Sequence, residues 1–240
     1  MRFKLFLIRK TKAMFIRMQL HRIVEPFSGM LLNLAYLSKI SKWVKENKNI
    51  EFNDFYSSKW DYEKRYKLYE YILNKEELTK PLTYLEFGVA GGLSFKWWIS
   101  HNKHPESRFY GFDTFEGLPE NWGHFKAGDM STGSQFPEIN DERGAFVKGL
   151  FQDTLPPFLK EKNPRGRMLV HLDADLYSST LYVLSSMAPY LKPGDMLMFD
   201  EFTVPRHEFL AFTNFLQSYY LKFDLIAAAN NYFFVAFKMK

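Results

Sequence analysis

The sequence predicts an α/β protein: a doubly wound, mostly parallel seven-stranded sheet with an antiparallel C-terminal hairpin, preceded by N-terminal helices. Three observations predict it. Short apolar runs alternate with stretches of helical period. A glycine-rich turn follows the first strong run. An acid or amide stands at or near the end of each of the first five runs. Strands alternating with helices imply a parallel sheet covered on both faces.

The elements follow in order. Tyr62, Tyr66, Tyr69 and Leu73 recur at helical spacing and predict a helix over 60–74. The apolar run 83–87 reads as a buried strand, Gly88 to Gly92 as a turn, and 94–100 as the start of a helix. A second strand covers 108–112. Residues 115–144 are rich in Gly, Pro, Asn and Asp and form a long loop, a length typical of lids and binding loops. A short strand at 145–148, a helix at 155–160, a strand at 168–172 and a helix at 176–190 come next. Pro193 and Gly194 end that helix. The fifth strand is 196–199, and Phe209, Phe212, Leu216 and Tyr219 mark the following helix. Strands 223–228 and 232–237 flank Asn230 and Asn231, a tight-turn pair for a hairpin.

Charge divides the chain in two. Residues 1–50 carry 11 Lys and Arg against 2 Asp and Glu, a net +9; the remaining 190 residues carry 21 against 25, a net −4. The basicity therefore belongs to an N-terminal helical segment, residues 1–50, and residues 51–240 form the main domain. No nucleic-acid partner is expected. With no cysteine, thiolate metal sites, disulfides and Cys nucleophiles are excluded. The first apolar run, Leu5 to Ile8, is too short for a secretory signal, and the longest charge-free stretch, 26–38, is too short to span a bilayer. The segment is either a cap on the domain or on a second subunit, giving a homodimer, or a contact with an anionic membrane. On a helical wheel its cations scatter. A cytoplasmic location, peripheral at the inner membrane face in the second case, is the expectation.

In an open α/β sheet, ligands bind beyond the carboxyl ends of the strands. Glu86, Asp113, Gln152 with Asp153, Asp173 with Asp175, and Asp200 with Glu201 all fall there. So many carboxylates on one rim repel one another unless a cationic ligand or metal offsets them. Asp153 and Asp175 also suit helix N-termini. The turn Glu86-Phe-Gly88-Val-Ala-Gly91-Gly92 departs from the G-x-G-x-x-G of dinucleotide enzymes. Asp113, 25 residues after Gly88, is placed to grip ribose hydroxyls.

Five blocks in order resemble one family: Glu86 to Gly92; Tyr110-Gly-Phe-Asp-Thr-Phe-Glu-Gly-Leu-Pro119; Gly149-Leu-Phe-Gln-Asp-Thr-Leu-Pro156; Leu172-Asp-Ala-Asp-Leu-Tyr-Ser-Ser-Thr180; and Phe199-Asp-Glu-Phe202. Over residues 60–240 the chain resembles the class I S-adenosylmethionine-dependent methyltransferases, and among them the macrocin O-methyltransferase family. The resemblance implies a Rossmann-like fold and methylation of a hydroxyl, on a sugar of a glycan or glycosylated small molecule. It implies that Glu86, Gly88 and Gly92 line the methionine part of S-adenosylmethionine, that Asp113 holds the ribose, and that Gln152 and Asp153 sit near the adenine. It implies a Mg²⁺ site at Asp173, Asp200 and Glu201, where relatives usually carry Asp or Asn in place of Glu201.

A sugar hydroxyl must lose its proton to a base or be acidified by a metal before it attacks a methyl group. Asp173 is the leading base. His171, two residues earlier on the same strand face, is the second candidate, against a reading as a hydrogen-bonded core residue. His207 is weighed as an acceptor contact against a solvated first-turn residue. Trp122, His124 and Phe125 are weighed as ligand contacts in the long loop. Two alternatives stand beside the enzyme: a non-catalytic partner of the same fold in glycan assembly, and an NAD-dependent oxidoreductase, which lacks its third glycine here.

Overall fold

The computed structural model describes residues 2–164 and 166–240. Two helices come first, α1 (Arg2–Arg17) and α2 (His21–Glu46). The alternating body then runs β1 (Phe52–Asn53), α3 (Lys64–Lys75), β2 (Thr83–Phe87), α4 (Leu93–His101), β3 (Arg108–Asp113), β4 (Gly144–Lys148), α5 (Phe151–Lys162), β5 (Met168–Leu172), α6 (Tyr177–Met187), β6 (Met196–Phe199), α7 (Glu208–Tyr219), β7 (Phe223–Ala229) and β8 (Phe234–Met239).

One sheet of eight strands has the order β1-β7-β8-β6-β5-β2-β3-β4. Only β8 runs against its neighbours, pairing antiparallel with β6 and β7. The eighth strand, absent from the expected seven, is the two-residue β1, parallel to β7 through Phe52 opposite Ala227. The C-terminal turn is also longer than an Asn-Asn pair: four residues, 230–233, separate the strands, and Asn230, Asn231 and Tyr232 all have positive φ.

Alternation along the strands divides the core. From β2, Leu85 and Phe87 face one side with α5, α6 and α7; Tyr84 faces the other with α3 and α4. Inward-facing aromatics fill both layers. The root of α2 belongs to the first layer: Ile40 is buried, and the Trp43 ring lies 5.0 Å from Phe202, 5.8 Å from Tyr232, 6.0 Å from Phe237 and 6.2 Å from Phe209. Residues 38–46 are therefore packed into the main body. The rest of the arm, residues 3–37, is largely exposed.

The chain goes β2, β3, β4 in one direction, then crosses back to lay β5 and β6 on the other side of β2. The strand order thus reverses between β2 and β5. A crevice opens at such a point, beyond the carboxyl ends of the strands.

Candidate active site

The crevice is a cavity of about 510 Å³. Its walls come from the glycine turn (88–92), Asp113, Leu150 to Gln152, Asp173 to Asp175, Glu201, Tyr62 in the turn before α3, and Arg65 on α3. Backbone bonds continue one residue past each strand and fix the acids at the rim. Gly88 N donates to Phe112 O at 2.9 Å, Asp173 N to Phe87 O at 2.9 Å, and Asp200 N to Leu172 O at 3.1 Å.

Gly88 has φ +91°, and a Cβ there would lie 1.9 Å from the Asp173 carbonyl oxygen. The exits of β2 and β5 thus touch backbone to backbone, which only glycine permits. Gly91 differs: a Cβ there meets nothing within 4 Å, so the apo fold does not require this glycine. The space it leaves borders the cavity. Ala90 and Asp175, on the same cavity's wall, also hold positive φ. Such local strain concentrates at ligand sites.

Asp113 holds the turn. Its Oδ2 accepts the N–H groups of Val89 (2.7 Å) and Ala90 (2.8 Å), and its Oδ1 accepts Phe115 N–H at 2.7 Å. A carboxylate offers about four lone pairs, so one remains for a ligand hydroxyl. Gln152 lines the cavity. Pro156 cannot donate to the Gln152 carbonyl, and the Tyr182 hydroxyl lies 3.4 Å from it as a substitute donor. Asp153 is exposed on the first turn of α5, outside the lining, where a carboxylate complements the helix dipole.

Beneath the floor lies a buried polar chain. Glu86 and His171 are register partners on β2 and β5. Tyr84 O–H donates to Glu86 Oε2 at 2.5 Å, and Tyr84 Oη lies 2.7 Å from His171 Nδ1. His171 Nε2 is 2.8 Å from Asp200 Oδ1, which also accepts the Tyr69 hydroxyl at 3.2 Å. Arg65 Nη1 donates to Asp200 Oδ2 at 2.9 Å, with its guanidinium carbon 4.0 Å from the centre of the Tyr62 ring. Both nitrogens of His171 are engaged and the residue does not line the cavity.

Electrostatics separate the acids. Burial tends to raise Asp200, but His171, Arg65 and Tyr69 hold it below its ordinary value. The others go up. Burial, then the charges of Asp200 and Asp175, raise Asp173 well above the usual range. Burial lifts Asp175 to about 6, and burial with the charge of Asp175 lifts Glu201 to about 8. Glu208, fully buried at the start of α7, accepts Glu201 N–H at 2.9 Å and is raised by burial.

His171, Asp173 and Asp200 present ligand atoms within 4.8 Å of one another. Asp200, however, is fully buried off the cavity lining, and one of its oxygens already faces the Arg65 cation. Asp173 and Glu201 fit a hard cation better: both are carboxylates on the lining, and Glu201 Oε2 is buried without a partner. Of the expected trio, Asp173 and Glu201 line the cavity and Asp200 lies buried beside it.

Arg65 escaped the sequence reading. Its signal was present: it shares a helical face with Leu68, Tyr69 and Ile72, all buried, and a cation in a buried stripe implies a buried carboxylate. In the long loop, Trp122 stacks on Phe125 at 5.2 Å and meets His207 edge-on at 6.1 Å. Trp122, His124, Phe125 and His207 all lie off the lining; Gly117 to Glu120 and Met130 supply the loop's part of it.

Residues 85–202 match a family described as a methyltransferase domain. A curated relative, the 8-demethyl-8-(2,3-dimethoxy-alpha-L-rhamnosyl)-tetracenomycin-C 4'-O-methyltransferase of Streptomyces olivaceus, is 37% identical over 65 residues. That segment is 27% of this chain and spans 23% of the relative. Among solved structures, the calicheamicin methyltransferase CalS11 aligns with TM-score 0.61 at 23% identity, over 73% of this chain and 79% of its own. The O-methyltransferase NovP aligns with TM-score 0.52 at 17% identity, over 70% and 79%. At these identities the two structures establish a shared fold.

Proposed function

We propose that this chain, whose residues 85–202 match a methyltransferase-domain family, moves a methyl group from S-adenosylmethionine to a hydroxyl of a sugar. The observation that carries the proposal is the cavity at the reversal of strand order, bounded by the glycine turn and Asp113 on one side and by Asp173 and Glu201 on the other. The sugar acceptor rests on the rhamnosyl substrate in the curated relative's name.

S-adenosylmethionine supplies a methyl group on a cationic sulfur, so that an O–CH3 bond forms as the S–CH3 bond breaks. The open space at Gly91 and the remaining lone pair of Asp113 fit this donor. Glu86, Gly88 and Gly92 would line its methionine end, Asp113 its ribose and Gln152 its adenine; Asp153 would serve from the outer edge. Holding acceptor and donor in line is worth about 7–11 kcal/mol of the barrier.

Asp173 takes the proton of the acceptor hydroxyl. It is protonated more readily than an ordinary aspartate because it is buried among other acids, and a nearby positive charge shifts it toward the ionised base. Arg65 and His171 act one step back, fixing Asp200 beside it. Asp173 and Glu201 would hold Mg²⁺ if one binds, and a metal there would acidify the hydroxyl.

Titration calorimetry of the full chain with S-adenosylmethionine tests the donor, and transfer of labelled methyl to L-rhamnosyl acceptors tests the reaction. Absence of binding at millimolar donor would remove the enzyme reading.

A further inference from the structure

The N-terminal arm is the largest feature that methyl transfer leaves unused. On α1, Phe3, Leu7, Ile8, Met14 and Phe15 share one side, and all are exposed, Phe3 at 77%. Arg9, Lys12 and Arg17 occupy the other side, interleaved with Leu5, Phe6 and Ile16, and Lys10 borders Phe3. Lys4 lies within the apolar side. On α2, Ile23, Phe27, Met30, Leu34 and Leu37 form an exposed stripe. A different side of α2 faces the body, where Ile40 is buried and a Cβ added to Gly29 would lie 4.0 Å from Arg206 Nη1.

A contiguous exposed apolar surface on this scale marks a docking site. The charge identifies what docks. Seven Lys and Arg fall within residues 1–22, and the first carboxylate of the chain is Glu25. A second copy packed on α1 would bring two such cationic helices together. An anionic lipid surface covers the apolar side and neutralises the cations at once, with long Lys and Arg stems reaching the headgroups. Among the described residues no helix is long and apolar enough to cross a membrane, so the arm would lie in the interface.

We infer that α1 and the exposed stripe of α2 dock the protein on an anionic membrane surface. The inference stands apart from methyl transfer, since among the described residues none of α1 or α2 lines the cavity.

Flotation of the full chain with phosphatidylcholine vesicles, with and without phosphatidylglycerol, tests it. Binding should require the anionic lipid and weaken as salt rises. The triple variant R9E/K10E/K12E should lose more than about a hundredfold in partition, the figure for removing three cations alone. F27E/L34E should lose binding as well, both variants keeping the wild-type melting temperature because the altered side chains are exposed. Equal binding to neutral vesicles, no binding to either, or wild-type binding by the triple variant would overturn the inference. So would a dimer in light scattering that F27E/L34E dissociates, because the stripe would then be covered by a second copy.

Discussion

Replacing Arg65 by Met isolates the buried pair under the cavity. The Arg65 side chain is 9% exposed and that of Asp200 is 0%, so little solvent reaches the carboxylate once its cation is gone. Breaking such a pair from one side costs about 3–5 kcal/mol. Asp200 keeps Tyr69 at 3.2 Å and His171 at 2.8 Å, which puts the cost near the lower end, about 3 kcal/mol. For a chain of this size the melting temperature should fall by roughly 6–12 °C. The pH dependence gives a second check. Asp200 is held below its unfolded value, so its pairing stabilises the fold above the carboxylate range and is lost as pH falls through its folded value. The deficit of Arg65→Met should therefore shrink on acidification. Adding Asp200→Asn should restore much of the loss, because the uncompensated charge is removed. Urea unfolding near neutral pH and in acid measures all three. A single-variant cost below about 1 kcal/mol, or a double variant no better than the single, would refute the claim that a charge pair holds this site.

Gly88→Ala sets a Cβ against the Asp173 backbone, where no side chain can yield, and should either prevent folding or lower stability by more than about 3 kcal/mol, read by thermal melting. Asp113→Ala frees three backbone N–H groups at the turn, and calorimetry should show S-adenosylmethionine affinity falling at least about tenfold; unchanged affinity would exclude Asp113 from the donor site. Asp175 and Glu201 bind protons more tightly folded than unfolded, so stability should decline as pH rises from about 5 to 8 and level off beyond, and Glu201→Gln should flatten that slope in melts across the range. Millimolar Mg²⁺ should raise the melting temperature at pH 8 and do nothing for Glu201→Gln; equal response of both proteins would place the cation elsewhere.

The sheet was legible where strands are buried on both faces. The expected bounds 83–87, 168–172 and 196–199 coincide with the observed β2, β5 and β6, since each is a short, largely apolar run. β1 was invisible because two residues carry no period, and its pairing with β7 spans most of the chain. α5 begins four residues before its expected start, because Pro156 and Pro157 disguise a helix that starts at Phe151. The rim acids were readable from position alone. Their division was not: whether a carboxylate is neutralised depends on what packs against it from elsewhere, and the cation on Asp200 comes from 135 positions earlier. The boundary drawn at residue 50 likewise missed the root of α2, whose apolar side chains reach a core assembled from residues 202–237.

That root bears on how the protein can be cut. A truncation at residue 50, natural from the charge alone, would pull Trp43 out from among Phe202, Phe209, Tyr232 and Phe237 and leave four rings facing water. Phe202 directly follows Glu201, so the wound would open beside the rim of the cavity. A shortened protein lacking turnover would then report a damaged core rather than a missing arm, and trimming that ends before Ile40 is the version that keeps the two apart.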